Sequence, residues 1–512
     1  MSSMTQNTFR ISRPVLLYCS ITLLLLPCIL FILGWIRPII AIPFSILLTA
    51  ASINCCKNIV SNCHPAYRYS VARTKDVINL IITLILLLIF VDIIGVTGHV
   101  QQSADFSVRN AIYSELKNSP WPIYSDRGEY FTYYHSFWLP PALLAKLIPF
   151  DIADSVLFVW MYLILALSAI VLFLKIRGKV LYFFIIFLIA GNLIDNLKVT
   201  PLLAEKFSHI VPYCDHLIKV CHNLAIESHV RYLNVWTQYV YTFNHAIPLT
   251  LYFALIITGL IPKRYLLFTS ALVFTSSPLG VAPMLPILIY IIWKQRNIKQ
   301  TILRWENWVG ALFVLSECAY LYGQSGGTSG MVFLWQHHDY WNRVNSAHGY
   351  FVHIHVRLLR YFTVAGAMLT TIWLLTTAKI RNTVWFAAFN YLIIVLPIVW
   401  IGRWNNEFLF KGSLILFMIW AWLMISQWKH SSFMRKKSVL FVIILSSLHV
   451  FSDINRRNLI EYTWEKEKIQ NNKRTDWGGT LNRPDIFTYD NFWGENKFPT
   501  ILNDNKKTYL IK

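Results

Sequence analysis

The chain has 512 residues, of which 56% are apolar, 15% aromatic and only 14% charged. An ordinary soluble domain carries about 25% charge, so this composition argues against a cytosolic enzyme, a disordered protein and a secreted disulfide scaffold. Lys+Arg 46 against Asp+Glu 25 gives a formal charge of +21, which in a membrane protein speaks first to topology and anionic lipid and only weakly to nucleic acid.

Uncharged or nearly uncharged runs occur at 14–34, 38–56, 76–97, 153–174, 179–194, 246–261, 265–276, 281–293, 305–323, 358–377, 383–402, 408–428 and 439–452. About 20 apolar residues cross a bilayer as a helix. The first run is followed by Trp35, Arg37 and Pro38 rather than a small-residue cleavage site, so it reads as a retained helix. The runs on either side of Ser277-Pro278-Leu279-Gly280 read as a tight hairpin or one broken helix. Segment 139–150 reads as interfacial or half-inserted. Strands of a membrane barrel would alternate over about ten residues, and no such pattern appears. The expected class is an all-α polytopic membrane protein with about 13 transmembrane helices. Residues 1–452 would form the membrane domain and 453–512 a small external tail rich in aromatic residues.

Positive charge orients these spans. Arg10 and Arg13 precede the first; Lys57, Arg68, Arg73 and Lys75 separate the second and third. Lys175, Arg177 and Lys179 follow the fourth, Lys263 and Arg264 the sixth, and Lys294, Arg296, Lys299 and Arg304 the eighth. Lys379 and Arg381 follow the tenth, and Lys429, Arg435, Lys436 and Lys437 the twelfth. All fall on one side if the N-terminus is cytoplasmic, as the positive-inside rule requires. The long polar segments 98–138, 195–245, 324–357 and the tail then lie outside, and the chemistry with them.

Cysteine says little. Of eight, Cys19, Cys28, Cys55, Cys56 and Cys318 lie in or beside apolar runs, where a thiol acts as a small hydrophobe. Cys214 and Cys221 share a polar segment with Asp215, His216 and His222, as free thiols or one local disulfide; their spacing matches no zinc signature. No Walker loop, G-x-G-x-x-G, H-E-x-x-H or G-x-S-x-G is present. Any substrate energy must therefore arrive already activated, for example in a lipid-linked donor.

The first external segment is the most informative. Asp105 stands just after a membrane helix, at the head of an amphipathic stretch reaching Lys117. Then come Trp121-Pro122 and the start Tyr133-Tyr134-His135-Ser136-Phe137-Trp138-Leu139-Pro140-Pro141. A carboxylate at the interface takes the proton of an incoming hydroxyl if it lies within hydrogen-bond reach; equally, Asp105 would cap the helix that follows. Asp92, inside the third span, is a second acid, and intramembrane charge is costly. It either functions, snorkels or pairs structurally. Glu317 in the ninth span is open to the same readings. Cationic candidates for a departing phosphate are Arg231, Arg343, Arg357, Arg360, Arg403 and Lys411, with Arg357 and Arg360 on one helix face; headgroup anchoring is the alternative. His337, His338, Asp339, His348, His353 and His355 crowd one loop, as a metal site or as ordinary loop histidines.

On these residues the chain resembles the multi-spanning GT-C glycosyltransferases, and most closely bacterial GT-C-like membrane proteins. The resemblance also extends, in size and layout, to phage-encoded O-antigen glucosyltransferases. It rests on the acid in the first external loop, the Asp105…Arg109-Asn110-Ala111 and Trp121-Pro122 pattern, and the aromatic-Pro-Pro start. It also rests on later segments His229 to Trp236, Asn244 to Pro248 and Asn406 to Ser413. It covers about a quarter of the chain; Arg231 stands where an acid is commoner, and no Trp-Trp-Asp signature exists.

The resemblance implies a GT-C-like fold and sugar transfer from a polyprenyl-phosphate donor to an envelope glycan such as O-antigen or lipopolysaccharide, in a bacterial inner membrane. It implies Asp105 as catalytic base, with Asp195 supporting it or holding a metal. It further implies substrate contacts from Arg109, Asn110, Tyr133, Tyr134, His135, His229, Arg231, His245, Arg357, Arg360, Arg403, Glu407 and Lys411. Many GT-C enzymes use a divalent cation, so Mg or Mn is an optional cofactor with unassigned ligands. Two rival readings stand: an O-antigen polymerase or ligase, and a lipid-linked glycan flippase without chemistry.

Overall fold

The computed structural model describes residues 8–65, 68–103, 105–124, 130–148, 152–190, 234–294, 298–322, 331–336, 368–369, 371–374, 381–401, 406–428, 434, 436–437, 439–440, 443–444, 450, 462–474 and 493–494. The chain divides into two compact units. One comprises 1–181, 243–327 and 461–512, the other 182–242 and 328–460.

In the first unit, α1 (Arg13–Trp35) and α2 (Pro38–Ser61) form a hairpin. Their connection is two residues long because Pro38 starts α2 with its φ already helical and no N–H to satisfy. A short antiparallel ribbon, β1 (Thr8–Ser12) with β2 (Tyr69–Arg73), pairs Thr8 with Arg73 and Ser12 with Tyr69 and ties the start of α1 to that of α3 (Thr74–Ile94). This ribbon was not expected; its signal is the alternation of apolar and polar residues at Phe9, Ile11, Tyr69 and Val71.

Helix α3 shows what a membrane helix does with an all-apolar sequence. Thr83, Leu87, Phe90, Val91 and Ile94 are buried at helical spacing, whereas Ile78, Ile81, Ile85 and Ile89 are each about half exposed. A soluble helix places polar side chains on such a face. Leaving isoleucines there fits lipid, not water. Among the described residues, six helices are long and apolar enough to cross a membrane: Arg13–Trp35, Pro38–Ser61, Thr74–Ile94, Ala153–Leu188, Val235–Thr258 and Glu407–Gln427. Pro278–Lys294 and Val384–Ile398 are apolar but shorter. The expected runs 358–377 and 439–452 lie mostly outside the described residues.

After α3, the surface helix α4 (Phe106–Asn118) packs on α5 (Leu139–Leu147), and α5 on α6 (Ala153–Ile176). With nine residues, α5 rises about 13 Å. That is under half the hydrocarbon core of about 30 Å, in keeping with an interfacial or half-inserted element. α6 packs on α3 and ends at Arg177, whose φ of 50 breaks the helix before α7 (Val180–Leu188).

Segment 195–245 reads from the sequence as a long polar segment, and its last part is helical. Helix α8 starts at Val235 and runs to Thr258, so His245 sits within a helix, buried. Asn234 accepts a hydrogen bond from Thr237 N at 2.7 Å at its start. The helix is interrupted at Thr242 (φ −137, ψ 40), where the chain passes from one unit to the other. Then α9 (Leu266–Phe274), α10 (Leu285–Lys294) and α11 (Trp305–Tyr322) follow, α11 packing on α9 and α2. Asn307 holds this corner. Its Oδ1 accepts from Phe268 N, and its Nδ2 donates to the Arg264 and Thr301 carbonyls.

The tail contributes α14 (Lys466–Asn472) and a two-residue strand, Trp493–Gly494, paired with Tyr130–Phe131. In the second unit, α12 (Val384–Ile398) packs on α13 (Glu407–Gln427). Asn406 caps α13, accepting from Leu409 N at 3.1 Å.

Gly98 fixes where the tail sits: its φ is +80, and a Cβ there would lie 2.9 Å from the Ile469 carbonyl oxygen. Gly98→Ala should cost roughly 1–2 kcal/mol from the backbone conformation alone and loosen 462–474. Hydrogen exchange in detergent checks this, with faster exchange in 462–474 expected and no change in α1.

Candidate functional site

The end of α3 gathers a polar cluster around Asp92. Gly95 terminates α3 in the left-handed region (φ 107) and Gly98 takes φ 80. Two such residues, open to glycine at no steric cost, turn the chain back so that the next side chains face Asp92. Thr97 Oγ1 donates to Asp92 Oδ1 at 2.5 Å, and His99 Nδ1 lies 2.8 Å from Oδ1 and 3.1 Å from Oδ2. From the tail, Tyr462 Oη donates to Asp92 Oδ2, and Trp464 lies against the His99 ring at 4.3 Å between centroids. Partial desolvation and then the Asp92 carboxylate push the Tyr462 phenol above its ordinary value, which keeps it a donor.

Asp92 and His99 are 14% and 17% exposed, so the pair is sheltered but not sealed. A carboxylate on Nδ1 assigns the proton to Nδ1 and leaves Nε2 as the acceptor nitrogen. Among the described residues Nε2 has no hydrogen-bond partner. Asp92 therefore pairs rather than snorkels. His99, Thr97 and Tyr462 were not anticipated. The Gly95-Val96-Thr97-Gly98 turn beside an acid is the one sequence signal for the first two; nothing in the sequence points to Tyr462, 370 positions away.

The same loop carries Asp105. It stands at the N-cap of α4, yet its side chain makes no capping hydrogen bond. The carboxylate turns instead to Arg109, with Oδ2 3.3 Å from Nη2. The two side chains are 50% and 8% exposed: the acid is open and its cation is held. Arg109 lies over the Phe243 ring at 5.8 Å, and its Nε is buried with no hydrogen-bond partner among the described residues. Asn110 is engaged otherwise: its amide donates to Gln102 Oε1 and to the Arg474 carbonyl, at 2.8 and 2.9 Å. Gln102 in turn accepts from Arg474 N and donates to the Gly95 carbonyl. Loop 95–110 is thus pinned at one end to Asp92 and along its length to the tail.

Tyr133, Tyr134 and His135 belong to a packed aromatic layer. His135 is fully buried; its Nδ1 donates to the Tyr133 carbonyl at 2.8 Å and its ring lies 4.2 Å from Trp35. Tyr320 Oη donates to the Phe131 carbonyl at 2.6 Å. Tyr134 meets His245 edge-on at 5.5 Å. Next to this layer, Ser136 and Thr275 share a hydrogen bond at 2.6 Å, and Thr275 donates to the buried Glu317 carboxylate; that answers the structural reading of Glu317.

In the second unit, Glu407 and Lys411 form an i,i+4 ion pair at 2.9 Å. Asp195, His229, Arg231, Arg343, Arg357, Arg360 and Arg403 lie outside the described residues, as do the histidine-rich loop and Cys214 and Cys221. Among the described residues no group of three or more His, Cys, Asp or Glu converges as a metal site. Asp105 is held by Arg109 and Asp92 by three donors, so these two acids do not fit a divalent cation. The chain matches no known family model, no curated protein and no solved structure.

Asp92→Ala leaves three donors without their acceptor and should lower unfolding free energy by roughly 2–3 kcal/mol, since hydrogen bonds to charged groups carry about 1.5–3; denaturant titration in detergent reads it. Burial holds the His135 imidazolium down at about 3 against an ordinary 6.5. The unfolded chain thus binds this proton first. The contribution is complete above pH 6.5 and is lost as pH falls toward 3, by up to about 1.4 kcal/mol per pH unit. His135→Gln should flatten that part of the stability–pH curve.

Proposed function

We propose that the protein is a GT-C-like membrane glycosyltransferase of the bacterial inner membrane. It moves a sugar from a polyprenyl-phosphate donor to a hydroxyl of an envelope glycan, such as O-antigen or lipopolysaccharide, on the extracytoplasmic side. In this reading the N-terminus is cytoplasmic and the tail periplasmic. The observation that supports it is the half-exposed Asp105 carboxylate, held by the nearly buried Arg109 at the start of an amphipathic surface helix. A base for an external acceptor needs both properties: access to the incoming hydroxyl, and a fixed direction.

The step is a direct displacement. An Asp105 oxygen takes the acceptor's hydroxyl proton, and the acceptor oxygen bonds to the anomeric carbon. The bond from that carbon to the phosphate oxygen breaks, and its electron pair leaves on polyprenyl phosphate. A single displacement inverts the anomeric configuration. Arg109 orients the base; its charge also favours the anionic leaving group if the donor phosphate reaches it. Glu407, Lys411, His245 and the tyrosines at 133 and 134 remain substrate contacts in this reading, and Asp195, His229, Arg231, Arg357, Arg360 and Arg403 keep their expected roles. Asn110 is reassigned from substrate to holding the loop.

Purified protein in detergent, given a polyprenyl-phosphate sugar and envelope glycan, should yield a covalent glycan product. Asp105→Asn should slow its formation by about 10²–10⁴-fold, the range for losing a general base, while leaving the unfolding temperature near wild type. Transport of the lipid-linked sugar without product, or full rate in Asp105→Asn, would overturn the reading.

A further inference from the structure

At the opposite end of α1 from Trp35, three elements of the first unit enclose a cavity of about 240 Å³. Arg13 and Leu17 come from the first turns of α1, Ile59 and Asn62 from the end of α2, and Gly259 and Arg264 from the turn after α8. Gly259 has φ +70, and a Cβ there would meet nothing within 4 Å, so the space beside it is open.

The two arginines are the unusual feature. Their Nε atoms are both buried, and among the described residues neither has a hydrogen-bond partner. Among the described residues no carboxylate lies within ion-pair distance of either guanidinium, and no acid lines the cavity. The Oε1 of Glu306, at the start of α11, accepts from Asn54 at 2.7 Å. A third cation, Arg304, converges with Arg264 on the Tyr265 ring, at 5.4 and 5.3 Å. Asn307 fixes the main chain from which Arg264 projects, donating to its carbonyl at 2.8 Å. Buried guanidinium nitrogens are ordinarily paired, and two like charges facing one cavity repel until an anion sits between them.

We infer that this cavity binds a phosphate-ester anion, gripped by the Arg13 and Arg264 guanidinium forks. The fork geometry matches tetrahedral oxyanions in a way that a point charge does not. The volume suits a headgroup rather than a whole lipid or a drug-sized ligand, whose pockets run about 300–1,000 Å³. On the same first turns of α1, Val15 and Tyr18 are 57% and 40% exposed, an apolar surface along which acyl chains can run. Basic pockets between membrane helices recognise anionic headgroups in this manner. The site is independent of the sugar-transfer reading and lies far along α1 from the aromatic layer around Trp35.

The test is native mass spectrometry of the full chain in neutral detergent, titrated with phosphatidylglycerol, with diacylglycerol as the phosphate-free lipid, and with inorganic phosphate as competitor. The wild type should retain phosphatidylglycerol and not diacylglycerol. Arg13→Gln with Arg264→Gln should weaken retention by about tenfold or more, and the double Lys variant should fall between them. Displacement by inorganic phosphate assigns the site to phosphate in general; resistance to it assigns the site to the lipid-borne diester. Should the Gln pair fail to fold, Leu17→Trp fills the apolar wall and should weaken retention likewise. Undiminished retention in a folded variant, or equal retention of diacylglycerol, would overturn the inference.

Discussion

A carboxylate at the last turn of a membrane helix must be neutralised by neighbours, and at Asp92 it is. Three donors converge on it: Thr97 and His99 from the returning loop and Tyr462 from the tail. Leaving a buried acid unpaired costs far more than the net worth of any one of these bonds. The acid therefore dictates the path of loop 95–103 and the docking of 462–474. The tail then closes the arrangement from its own side, with Asn472 donating to the Gly98 carbonyl and Lys473 paired with Asp154. The position of α4, and with it Asp105, follows from that anchoring.

The two acids of this region are managed in opposite ways. Asp92 is saturated and mostly covered; Asp105 has one cationic partner and half its surface open. The proposed sugar transfer needs an acid of the second kind, since a base must still reach its proton donor. His99 sits between these extremes, oriented by Asp92 and, among the described residues, without a partner at Nε2. The aromatic layer around His135 is the rigid backing, apolar enough to keep that imidazole neutral.

Hydropathy made much of the membrane part legible. The runs at 14–34, 76–97, 153–174 and 408–428 coincide, within a few residues, with Arg13–Trp35, Thr74–Ile94, Ala153–Ile176 and Glu407–Gln427. It failed where polar residues are buried inside a helix. Gln238, Asn244 and His245 are each at most 2% exposed, yet they made 235–245 read as loop; the Asn234 cap was the overlooked signal. The site was legible in part. Asp105 stands out by its place just after a membrane helix and Arg109 only through the family resemblance; capping is the competing reading of Asp105, and its side-chain direction decides against that. Asn110 fits a sequence pattern and serves to hold the loop. The Asp92–Tyr462 contact is a tertiary pairing across most of the chain, which no local pattern encodes.

The account stands on Asp105 being open to the extracytoplasmic side. Single-cysteine variants Asp105→Cys and Asn62→Cys, in a background where the eight native cysteines are replaced by serine or alanine, test this with a membrane-impermeant maleimide on intact spheroplasts. The expected result is prompt labelling at 105 without permeabilisation and labelling at 62 only after it. Labelling at 105 that appears only after permeabilisation would place the acid on the inner side and contradict the account.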